Sequence, residues 1–149
     1  MLKQGSDWIK TIQLSQELLV TSSGPHNWHE IHVYELSSGE LRRKMQVESD
    51  VECVRFYDER RLVSASAQLR MHDIETGQCT LVFNDQKKGV VNAMAVDGSL
   101  VVCSHKGKKV RIWDVRSGRR VTTMATGHTH LLHDIGVVER NKHWTLPES

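Results

Sequence analysis

Apolar and polar residues along this chain fall into short runs that recur. Three segments align: Ile31-His32-Val33-Tyr34-Glu35-Leu36-Ser37-Ser38-Gly39, Leu69-Arg70-Met71-His72-Asp73-Ile74-Glu75-Thr76-Gly77, and Val110-Arg111-Ile112-Trp113-Asp114-Val115-Arg116-Ser117-Gly118. Their closing glycines are 38 and 41 residues apart, and the same spacings separate Tyr34, His72 and Trp113. Each segment reads as a short strand ending in a turn, where glycine accepts positive φ without steric cost. A second apolar run precedes each: Leu18 to Ser23, Leu62 to Ser66, and Leu100 to Ser104. Ahead of those lie Trp8 to Leu14, Val51 to Tyr57 and Val90 to Val96. After the glycines come Leu41 to Val47, Gln78 to Phe83 and Arg119 to Met124. Each period therefore predicts four short strands, a to d, with polar a–b turns at Ser15-Gln16-Glu17, Asp58-Glu59-Arg60 and Asp97-Gly98-Ser99.

The runs Val90 to Val96 and Leu100 to Cys103 are almost continuously apolar, as strands covered on both faces are. The d strands are more polar, which suits an outer edge blunted by charge. No stretch carries a helical period with caps. The predicted fold class is all-β.

At this point the residues resemble the WD40-repeat family. Val110-Arg111-Ile112-Trp113-Asp114 is close to that family's signature strand c, and Gly127-His128 resembles its Gly-His dipeptide before strand a. A period near 40 residues with four strands per unit is the family's pattern. The resemblance covers roughly residues 6–146. It implies a partial β-propeller of about three and a half four-stranded antiparallel blades. Blade 1 would span about 7–47, blade 2 about 50–84, blade 3 about 90–125, and an incomplete blade 4 about 128–146. Tyr34-Glu35 and His72-Asp73 replace Trp-Asp in the first two repeats, and the Asp usual in the b–c turn gives way to Gly107 in the third. The side-chain network that rigidifies a typical blade is thus expected to be largely missing, leaving stability to apolar packing. Tyr34, His72, Trp113, Asp114, Gly127 and His128 are the expected structural positions. Closed propellers hold roughly four to eight blades. Three and a half would leave apolar blade faces open, so a fragment, a truncated isoform, or a propeller completed by another chain is expected.

Composition narrows the function. The 149 residues are 38% hydrophobic and 26% charged, with a formal net charge of +2, so no global charge draws the chain to nucleic acid or anionic membrane. No signal-peptide core occurs, and no window approaches about 18 apolar residues. The chain reads as cytosolic or nuclear. Cys53, Cys79 and Cys103 show neither metal spacing nor a disulfide framework, and Cys53 and Cys103 read as buried thiols.

Chemistry-bearing clusters are few. His26, His29 and His32 sit at three-residue spacing, but residues on a strand alternate faces and no zinc-like set completes them. His128, His130, His133 and Asp134 resemble a catalytic cluster, yet no nucleophile motif or glycine-rich phosphate loop accompanies them. No catalytic residue, metal or cofactor is expected. Trp28 and His29 lie in the longest b–c loop. The resemblance puts that loop on the docking face, and tryptophan is enriched at binding hot spots; the plainer reading folds Trp28 over its own blade. Lys106, Lys108 and Lys109, with Lys87 and Lys88 in the preceding d–a loop, would form a basic rim suited to an acidic or phosphorylated peptide, unless it is ordinary solvated surface. Aromatic residues do not interleave with these lysines, which argues against nucleic acid. The expected function is a protein-interaction scaffold or substrate receptor, with a ubiquitin-ligase adaptor as a narrower version drawn from similarity to F-box/WD proteins. The alternatives are a structural part of a composite propeller, self-associating through open faces, or a fragment without independent function.

Overall fold

The fold is all-β. The computed structural model describes residues 9–23, 30–47, 51–66, 68–83, 91–105 and 109–125, which form twelve strands and no helix among the described residues. Sheet 1 comprises β1 (Ile9–Leu14), β2 (Leu18–Ser23), β3 (Glu30–Glu35) and β4 (Leu41–Gln46). Sheet 2 comprises β5 (Cys53–Phe56), β6 (Arg61–Ala65), β7 (Leu69–Asp73) and β8 (Cys79–Phe83). Sheet 3 comprises β9 (Val91–Asp97), β10 (Leu100–His105), β11 (Lys109–Asp114) and β12 (Arg119–Ala125). In each sheet the strands lie in chain order and every neighbouring pair is antiparallel.

The three sheets repeat down to single hydrogen bonds. The third and fourth strands slip register at matching places, between Val33 and Tyr34, Met71 and His72, and Ile112 and Trp113. The turn after the third strand closes the same way each time. Gly39 N donates to Glu35 O at 2.8 Å, Gly77 N to Asp73 O at 2.8 Å, and Gly118 N to Asp114 O at 2.9 Å. A second bond ties that turn to the first hairpin: Leu36 N to Glu17 O, Ile74 N to Arg60 O, and Val115 N to Ser99 O, at 2.8–2.9 Å. One end of every sheet is therefore a braced pair of turns.

The sheets stack face to face, and their closest backbone approach is along the first strands, β1 to β5 and β5 to β9. Between sheets 1 and 2, Val20, Ile31, Val33 and Met45 meet Val54, Leu62 and Ile74. Between sheets 2 and 3, Val63, Ala65, Met71 and Phe83 meet Met94, Val101, Cys103 and Trp113. Apolar burial across these two layers is what holds the stack. Each sheet thus has a rear face, turned toward the preceding sheet, and a front face, turned toward the next. The fourth strands are mostly exposed, and β12 is exposed along its whole length. No described helix is long and apolar enough to cross a membrane.

Candidate interaction site

Tyr34, His72 and Trp113 occupy one repeated position on the rear faces, opposite Leu19, Leu62 and Val101. Their surroundings differ. Trp113 is buried against Phe83 in an edge-on ring pair, with centroids 5.9 Å apart at 75°. Its Nε1 is a buried donor with no partner among the described residues. His72 Nε2 lies 2.8 Å from Ser64 Oγ. Burial, and secondarily the positive charge of Arg70, depress the His72 pKa from 6.5 to about 4, so the ring is neutral at physiological pH. Tyr34 Oη lies 3.1 Å from His32 Nδ1, while His32 Nε2 lies 2.9 Å from Glu30 Oε2. Burial raises the Glu30 pKa, but the hydrogen bonds from His32 and Lys44, and their charges, outweigh it and hold the carboxylate below its ordinary range.

The aspartates after these positions are turn caps. Asp73 Oδ1 accepts from the backbone of Glu75 at 2.8 Å and Thr76 at 3.1 Å, and Asp114 Oδ1 from Arg116 N at 2.9 Å. The Thr76 amide is the main cause of a lowered Asp73 pKa; desolvation opposes it, and Arg60 and the Glu75 amide add to the lowering. Asp58 accepts from the backbone of Arg60 and Arg61 and from the Arg61 guanidinium at 2.6 and 2.9 Å. Desolvation raises the Asp58 pKa, yet these bonds win and it lies below its ordinary value. Polar caps thus brace turns at this end, beside the apolar packing between the sheets.

The braced end also carries a concavity among the described residues. A cleft of about 810 Å³ opens between sheets 1 and 2, lined by Glu17, Leu18, Arg42, Phe56, Arg60 and Glu75 among others. Arg42 bridges it, bonding Glu75 in the turn of sheet 2 while lying 3.6 Å from Glu35 of sheet 1. Arg43 donates to the Glu75 carbonyl. Acid and base are paired here, so the cleft fastens one sheet to the next. Sequence reasoning missed it; the only signal was an Arg-Arg pair in one d strand and a glutamate in the following c–d turn.

Of the expected docking residues, Lys109 is exposed at the start of β11, paired with Ala125. Trp28, His29, Lys87, Lys88, Lys106 and Lys108 lie outside the described residues, as do Gly127 and His128. Cys53 and Cys103 are buried, as expected, and Cys79 is exposed. His32 is spent on Tyr34 and Glu30. Among the described residues, no three metal-capable side chains come together.

No family model matches the chain. The chain is similar to Autophagy-related protein 16 of Arabidopsis thaliana, at 25% identity over 114 residues, covering 72% of this chain and spanning 22% of the length of that protein. In three dimensions it is similar to the computationally designed Ika4 protein, with a TM-score of 0.78 at 19% identity over 93% of this chain and 85% of that one. The computationally designed Ika8 protein superimposes with a TM-score of 0.73 at 19% identity, over 88% of this chain and 40% of that one. At such identities these structures speak for the fold alone.

Proposed function

We propose that the three sheets are successive blades of a WD40-type β-propeller and that the chain is a non-catalytic module that binds other proteins. The observation that carries this is the repetition of one four-stranded unit with the same bulge, the same glycine turn and the same inter-turn bond in every sheet. The Val110-to-Asp114 resemblance supports it. In this reading the b–c and d–a loops, at the end opposite the braced turns, receive the partner. Lys87, Lys88, Lys106, Lys108 and Lys109 attract an acidic or phosphorylated peptide, and Trp28 and His29 supply an aromatic anchor. A substrate adaptor of a ubiquitin ligase, working in cytosol or nucleus, is the narrower form of the same proposal.

A library of phosphorylated and acidic peptides, titrated by fluorescence anisotropy, tests it. The wild type is expected to select a subset, and a variant with Lys106, Lys108 and Lys109 changed to Glu to lose that subset by at least about tenfold in Kd. Unchanged binding by the variant rejects the lysine rim; no binding by the wild type rejects the peptide reading.

A second reading is favoured by β1, where Ile12 and Leu14 are exposed. Here the chain is a structural part of a composite propeller, and its sheet faces rather than its loops are the working surface.

A further inference from the structure

The cleft between sheets 1 and 2 holds more acid than the clasp across it uses. Four carboxylates line it, Glu17, Asp58, Glu59 and Glu75, against two guanidiniums, Arg42 and Arg60, in a chain whose formal net charge is +2. Arg42 is taken by Glu75, Arg60 by Asp73 at 3.1 Å, and Asp58 by Arg61 at 2.6 Å. Glu17 and Glu59 are left over. Both are exposed, and neither side chain has an ion pair or hydrogen bond among the described residues. The apolar part of the lining is buried Leu18 and the half-buried ring of Phe56, which packs on the core between the two sheets. The next layer shows that this arrangement is not a demand of the stack. By strand register and the bonds between turns, Glu17 answers to Arg60, Glu59 to Gly98, Glu75 to Arg116 and Phe56 to Val96 between sheets 2 and 3. The fold repeats the positions and repeats neither the acid nor the ring.

We infer that this cleft is a recognition site for an arginine-bearing basic segment of a partner protein. Its volume of about 810 Å³ falls within the range of ligand pockets, roughly 300–1,000 Å³, and leaves room for a short stretch of chain. Charge complementarity selects the occupant: the two carboxylates that the protein leaves unmatched call for a cation. The ring selects among cations. A guanidinium lays a flat, weakly hydrated face on an aromatic ring while its fork of N–H donors reaches carboxylates; an ammonium brings the charge without the plane or the fork. An acidic or phosphorylated segment is repelled by Glu17 and Glu59. The site therefore stands apart from the lysine rim, at the other end of the sheets, and takes a partner of opposite sign.

Fluorescence anisotropy of the full chain with labelled Gly-Ser peptides carrying Arg-Leu-Arg, Lys-Leu-Lys or Glu-Leu-Glu tests this. The arginine peptide is expected to bind best, the lysine peptide more weakly and the glutamate peptide not at all, with affinity falling as salt rises. Changing Glu17→Gln and Glu59→Gln together, at exposed positions without partners, is expected to weaken the arginine peptide at least about tenfold in Kd and to leave thermal unfolding unchanged. Glu40→Gln, at an exposed carboxylate that does not line the cleft, is expected to leave binding unchanged. Phe56→Leu is expected to erase the preference for arginine over lysine. No binding by the wild type, or wild-type binding by the double variant, overturns the cleft as the site. An equal loss in Glu40→Gln overturns it in favour of diffuse surface charge. Displacement of the arginine peptide by an equal concentration of spermidine overturns a protein segment as the occupant. A preference for arginine that survives Phe56→Leu overturns the part given to the ring.

Discussion

At residue scale, His72 sets how the fold answers acid. Its ring is buried, neutral and hydrogen-bonded to Ser64, with the pKa pushed down to about 4. The unfolded chain therefore binds a proton near 6.5 that the folded chain refuses. His72 stability is fully present above that value and is lost as pH falls from 6.5 toward 4. Glu30, Asp58 and Asp73, whose pKa values are lowered, act in a separate window: their contributions are present above the ordinary carboxylate range and vanish below it. Between about pH 7 and pH 5, His72 alone of these groups counts, and urea titrations should show the wild type losing about 2 kcal/mol more than His72→Asn. Equal losses in the two proteins would show that the imidazole is not held neutral. Aligning His72 with Trp113 was possible from spacing. Its partner Ser64 was not, because the two meet only through the register of β6 with β7.

At element scale, the repeated glycine turn was plain in the residues, since Gly39, Gly77 and Gly118 end each aligned segment. All three have positive φ, so alanine strains each by roughly 1 kcal/mol. Their surroundings were not legible. Gly118 abuts Leu81 of the preceding sheet, while Gly39 faces open space. Gly118→Ala should therefore lower the unfolding free energy by roughly 1 kcal/mol more than Gly39→Ala in the monomeric chain, measured by chemical denaturation. The reverse order would mean that the turns do not pack between sheets. The alternation of strands was readable because burial on two faces, or on one, leaves its period in the residues. The Arg42 and Arg43 contacts with Glu75 left no such trace, since charge partners across sheets obey no period.

At the scale of the molecule, the all-β class and the four-strand unit were legible, and the three four-stranded sheets answer to them. The order of stacking followed less from pattern than from which side of each strand found an apolar neighbour. The candidate docking lysines were readable only as charge; of them, Lys109 alone falls among the described residues. One feature of the stack doubles as an instrument. Cys53 and Cys103 lie within the core between sheets 2 and 3, whereas Cys79 sits on the exposed β8. A maleimide added to native protein should label one thiol promptly and the other two only as fast as those sheets part. The chain thus carries its own stopwatch for the separation of its layers, readable by mass spectrometry with no engineered residue. Three thiols labelled together at once would mean that sheets 2 and 3 are not clasped in solution.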